Sequence, residues 1–185
     1  GTLFAVVGKT AESLAGVEWR LYRKRKPGDT DSERIEVTVH PALKVWNKPN
    51  AFMSQQRLVE TFAQHLKLGG EGWRVASRPT PNSPPTELWP GRPDRMRIVE
   101  DADDFLTGYE YTSPLGERVP LLPSDVVFML RPNPNDAYRG LGPVQSLMAH
   151  IDASRYSAEW NRNFFLSSAE PGGVIEVEAS LSERG

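Results

Sequence analysis

The chain has 185 residues, 38% of them hydrophobic, with a formal net charge of −2 and no cysteine. That is enough for one or two domains with a modest core, and it excludes a strongly basic nucleic-acid surface, an acidic tail, disulfides and thiolate metal sites. No apolar run reaches the length of a membrane span, and no signal peptide is visible.

In chain order, residues 3–15 carry a short helical pattern with Leu3, Val6, Val7 and Leu14 apolar. Within it Val7-Gly8-Lys9-Thr10 resembles the tail of a phosphate-binding loop. That motif requires a glycine where Leu3 stands, so surface residues of a helix are the preferred reading. Val17, Trp19 and Leu21 then alternate with polar neighbours, as do Ile35, Val37 and Val39, which predicts a hairpin of two half-buried strands. Between them, Arg23 to Asp29 forms a basic turn. The run Arg20, Arg23, Lys24, Arg25 and Lys26 reads as a solvated turn in preference to a phosphate contact.

His40-Pro41 opens a second short helix. Ser54 caps a third, whose buried face is Leu58, Val59, Phe62, Ala63 and Leu66. From Gly72 onward the pattern is β. Strands are expected around Trp73–Val75, Leu88–Trp89, Met96–Ile98, Phe105–Tyr111, Glu117–Leu122 and Val126–Leu130. The proline-rich loop 78–85 and the turn Ser113-Pro114-Leu115-Gly116 separate some of them. The acidic turn Asp101-Ala102-Asp103-Asp104 lacks the glycine-punctuated frame of a calcium loop and reads as a hairpin end.

Gly140-Leu141-Gly142-Pro143 leads into a long helical pattern, expected to run about 25 residues and roughly 40 Å before Pro171-Gly172-Gly173 stops it. On a helical wheel Val144, Leu147, Met148, Ile151, Ala158 and Phe165 form one apolar stripe. Ala149, Ala153, Tyr156, Trp160 and Phe164 form a second on the opposite side. Two stripes mean packing on two sides, either inside a larger domain or between copies in an assembly. Gly140-x-Gly142 lacks the third glycine and the βαβ setting of a dinucleotide site, so a tight turn feeding a helix is expected there. His40, His65 and His150 have no metal-ligand spacing, and no nucleophile, base and oxyanion donor come together. The class expected is α+β, with short antiparallel strands, a few helices and one long helix.

The order of motifs resembles the portal proteins of tailed bacteriophages. The opening helix leading into Val17-Glu18-Trp19-Arg20-Leu21-Tyr22-Arg23 is similar to that family's N-terminal opening. His40-Pro41-Ala42-Leu43, Trp46-Asn47-Lys48-Pro49-Asn50, Met53-Ser54 and Leu66-Lys67-Leu68-Gly69-Gly70 follow its next run. Leu88-Trp89-Pro90 with Pro93-Asp94-Arg95-Met96, Leu122-Pro123-Ser124-Asp125-Val126, Arg139-Gly140-Leu141-Gly142-Pro143 and Asn163-Phe164-Phe165 through Pro171-Gly172-Gly173-Val174 continue it. Met129 replaces a histidine common in the family, and Gly142 a serine. Together these cover nearly all of residues 4–185.

The resemblance implies a wing-like α+β domain over residues 1–140, a stem-like helix over 141–170, and the start of a clip-like segment over 171–185. Portal proteins are about twice this length. The chain opens on Gly1 and Ser182 reads as the start of another helix, so the sequence is expected to be a piece of a longer protein.

By resemblance the function is a non-enzymatic subunit without cofactor or metal. It forms a homo-oligomeric ring, a dodecamer in the family, at one capsid vertex of the virion, assembled in the host cytoplasm. Double-stranded DNA passes through the ring in packaging and ejection. The packaging terminase ATPase, capsid proteins and head–tail connector proteins are the implied partners, with no membrane involved. The stem helix would pack between copies, making Arg155, Tyr156, Glu159, Trp160, Arg162 and Phe164 the expected subunit interface. The competing functions are a monomeric β-rich binding module with its tryptophans in a groove, and a hydrolase or nucleotide binder using Gly140–Pro143 and the acidic turn at Asp101–Asp104.

Overall fold

Small residues decide the first packing contact. In the computed structural model, which describes residues 1–23, 34–103 and 105–167, the first helix spans Thr2–Ala15 (α1) and buries Val7, Ala11 and Ala15. These lie four residues apart on one stripe, against Leu58, Val59, Phe62 and Ala63 of the helix Gln55–Leu68 (α3). Two alanines on the contact face allow the close end of the usual interaxial range of about 8–10 Å. The bulkier Phe4, Val6 and Leu14 face outward, 65%, 59% and 44% exposed. The P-loop-like stretch is therefore part of α1, with its amides committed to a helix. Lys9 reaches Glu12 at 3.4 Å on the exposed side.

The expected hairpin is present but short, and its strands are exposed, not half-buried. Tyr22–Arg23 (β1) pairs antiparallel with Ile35–Glu36 (β2), and Val37 N–H donates to Leu21 C=O. Residues 17–21 run as loop. Glu18 and Arg20, two apart and therefore on one side, pair at 3.0 Å, and Trp19 turns edge-on to Trp46 at 5.2 Å. Helix Pro41–Asn47 (α2) is capped by His40, whose Nδ1 accepts from the Ala42 amide. Ser54 Oγ caps α3 at the Arg57 amide. Between the two helices Asn50 is 3% exposed. Its side chain donates to Leu88 C=O and accepts from Phe52 N–H, tying this connection to the sheet.

Six strands form two three-stranded antiparallel sheets. Glu71–Ser77 (β3) lies between Glu87–Gly91 (β4) and Val126–Leu130 (β8). Met96–Asp101 (β5), Phe105–Thr112 (β6) and Arg118–Leu121 (β7) form a meander, order β5-β6-β7. The sheets meet at Trp73, fully buried, whose ring stacks on Phe128 at 3.8 Å and meets Tyr109 edge-on at 5.2 Å. Met96 and Ile98 complete this core. Short 3-10 turns, Pro93–Arg95 and Pro123–Asp125, lead into β5 and β8.

The chain divides into two compact units, 1–146 and 147–185. The second contains the helix Met148–Leu166 (α4), 19 residues long. It begins later than the wheel pattern predicts. The Gly142 amide donates to Gln145 Oε1 at 2.8 Å, and Ser146 Oγ to Pro143 C=O at 2.8 Å. Local side-chain bonds of this kind compete with helical pairing, and a 3-10 turn, Gln145–Leu147, stands where the first α-turn was expected. Lys24, Arg25 and Lys26 of the basic turn, Asp104, the Pro171-Gly172-Gly173 stop and the clip-like segment 171–185 lie outside the described residues.

Candidate subunit interface

α4 carries all six expected interface residues, and every one is exposed. Tyr156, Trp160 and Phe164 lie at i, i+4 and i+8, so helical geometry sets them in one line. Their exposures are 65%, 66% and 45%. Trp160 and Phe164 stack at 5.5 Å with planes 15° apart, and Phe165 meets Phe164 edge-on at 5.9 Å. Arg155, Glu159 and Arg162 make no ion pairs with one another among the described residues. The helix buries none of its own residues. Solvent-facing aromatics in a row are the composition of a contact surface.

The chain reaches this helix through a buried junction that sequence reading did not single out. Glu71, 2% exposed, opens β3 between two glycines. One carboxylate oxygen accepts from the Trp73 indole N–H at 3.1 Å. The other accepts from Arg139 Nε at 2.8 Å and the Gly140 amide at 3.1 Å. Arg139 also donates to the Met96 and Pro93 carbonyls. One side chain thus joins β3, the entry to β5 and the segment leading out of the sheets. The available signal was a carboxylate heading an apolar strand, with an arginine beside a glycine turn far along the chain.

The turn itself is filled by protein. Gly70 has φ +78°, and a Cβ there would stand 2.5 Å from the Gly142 amide nitrogen; one on Gly142 would stand 2.5 Å from Leu68 C=O. Backbone against backbone occupies the space a nucleotide phosphate would need, so Gly140–Pro143 acts as a packed turn. The acidic turn is likewise used locally, since Asp101 accepts from the Asp103 amide and the Thr107 hydroxyl. Of the histidines, His40 is the α2 cap and His65 lies half-buried on α3. Burial pushes the His65 imidazole below its usual value, while Asp94 and the Gly91 backbone pull the other way and Arg92 adds to the lowering. No group of acidic or histidine side chains suited to a metal occurs among the described residues, and no helix among them is long and apolar enough to cross a membrane.

The sequence profile of the phage portal protein matches residues 2–185. The chain belongs to the phage portal protein family. Among solved structures, this portal-family chain is similar to one in the neck of an empty GTA particle computed with C6 symmetry. The two are 25% identical with a TM-score of 0.74, over 94% of this chain and 44% of that one. A chain of the native gene transfer agent virion is also 25% identical, with a TM-score of 0.73, over 97% and 47%. The neck of the native particle computed with C12 symmetry gives 24% and 0.73, again over 97% and 47%, and supports the fold. The chain thus spans a little under half the length of these neighbours. No curated protein sequence matches it.

Proposed function

We propose that this chain is part of a portal subunit that assembles, in twelve copies, into a ring at one capsid vertex and conducts double-stranded DNA during packaging and ejection. The observation that carries the reading is α4: a helix whose aromatic stripe faces solvent in the single chain, in a family whose structural neighbours sit in symmetric particle necks. Residues 1–140 serve as the wing, 141–170 as the stem and 171–185 as the start of the clip. Tyr156, Trp160 and Phe164 supply the apolar contact, and Arg155, Glu159 and Arg162 the charged one. The role is mechanical, without catalysis or cofactor. The terminase ATPase supplies the work of packaging, capsid and connector proteins hold the ring in place, and assembly occurs in the host cytoplasm. A net charge of −2 suits a conduit, because dense phosphate contacts would act as a brake on sliding DNA.

The test is Trp160→Ala in the full-length protein. Loss of the ring by native mass, with unchanged helicity and melting of the subunit, is the expected result, because buried aromatics dominate such contacts. Arg155→Glu should weaken assembly in a salt-dependent way. Intact rings from Trp160→Ala would remove this face from the interface.

A further inference from the structure

A second surface remains unexplained: an apolar groove of about 800 Å³ in unit 1–146, walled by Trp19, Leu43, Trp46, Pro84 and Pro85. Arg74 also lines it. The Arg74 guanidinium lies 5.1 Å from the Trp46 ring and 4.3 Å from the Phe62 ring, and has no carboxylate partner among the described residues. Its Nε and the Trp46 indole N–H are buried without acceptors. A cation held in apolar surroundings without a counter-charge is costly. The groove therefore asks for an apolar side chain accompanied by a carboxylate.

The same chain displays that combination elsewhere. Leu115, at the tip of the β6–β7 hairpin, is 89% exposed. The tip is ordered by bonds from the Leu115 and Glu117 amides to Ser113 Oγ and from the Ser113 amide to Glu117 C=O. The Glu117 side chain is exposed, with no ion-pair partner among the described residues. A volume of this size readily holds a leucine and a glutamate side chain.

We propose that the hairpin tip of one copy seats in this groove of a neighbouring copy, with Leu115 between the tryptophan and proline walls and Glu117 facing Arg74. Two different patches that complement each other form a heterologous contact, the type that closes into a ring. The contact rests on the ring reading above and adds a second seam, formed by unit 1–146 and separate from α4.

The test combines Leu115→Asp with Glu117→Lys in the full-length protein; both positions are exposed, so the subunit keeps its melting temperature. The concentration for half-assembly should rise at least tenfold, and Arg74→Glu added to Glu117→Lys should recover assembly. Residues 1–185 contain no cysteine, and with any cysteine elsewhere in the full-length protein replaced by serine a second measurement is direct. Leu115→Cys with Pro85→Cys should give an oxidised ladder of multimers, whereas either change alone gives none beyond a dimer. Intact rings from the double variant together with no ladder overturn the contact and leave the groove to another protein of the particle. A wild-type protein that stays monomeric overturns the ring reading, and this contact with it.

Discussion

The Glu71 carboxylate and the Arg139 guanidinium meet at 2.8 Å, 68 residues apart in the chain, and fix the backbone at Gly140 to the head of β3. Glu71→Ala would leave the Trp73 indole and the Gly140 amide unpaired in the interior and strip Arg139 of its counter-charge. We expect a loss of about 3 kcal/mol, at the low end for breaking a buried pair because Arg139 is partly exposed. Urea melts of the two proteins, compared at equal slope, measure it.

Gly70→Ala should be at least as harmful. It places a methyl against the Gly142 backbone and forces an L residue to φ +78°, a conformation that costs about 1–3 kcal/mol before any clash. Gly116, also at positive φ but with open space around its Cβ position, is the control. Gly116→Ala should show the backbone strain alone, and the difference in thermal midpoint isolates the packing.

Arg78 fastens the proline-rich loop. Its Nε meets Asp125 at 2.6 Å, and its other nitrogens reach Ser83 C=O and Ser124 C=O. Arg78→Ala should destabilise by about 2 kcal/mol, the scale of lost hydrogen bonds to a charged group, and speed proteolytic cutting between residues 79 and 86. Arg78→Lys restores the charge but not the fork, and should recover less than half. Limited proteolysis followed by mass spectrometry reads both.

His65 gives a pH dependence of defined sign. Its folded value lies below the unfolded one of about 6.5, so below that pH the unfolded chain takes up a proton the folded chain resists. Stability present above about pH 6.5 is lost as the pH falls. The melting temperature should drop on acidification from about pH 7.5 to about 5.5, and less steeply in His65→Gln; equal slopes would remove His65 as the cause.

Local patterns carried much of the fold. The caps at His40 and Ser54, the face of α3 and the strands from Trp73 to Leu130 follow from period and turn chemistry. In α1, periodicity marks the helix but not its buried face. What decides that face is size, since Ala11 and Ala15 admit α3 where Phe4 and Leu14 would hold it off. The start of α4 was displaced by bonds among Gly142, Pro143, Gln145 and Ser146, which no helical wheel registers. The Glu71–Arg139 pairing was invisible for a simpler reason: a bond across 68 residues has no local signature. The same holds for Arg74 on β3, whose ring partners, Trp46 and Phe62, come from helices α2 and α3.

The aromatic arrangement also makes the protein its own optical gauge. Trp73 is fully buried against Phe128 and Tyr109, whereas Trp160 is 66% exposed on α4. The asymmetric field around Trp73 generates near-ultraviolet circular dichroism that vanishes when the sheets part. Trp160 emits from a watery setting and shifts to the blue if a neighbour covers it. Folding can therefore be followed by near-ultraviolet circular dichroism, and cover of α4 by the emission difference between the protein and its Trp160→Phe variant, which cancels the light from Trp19, Trp46 and Trp89.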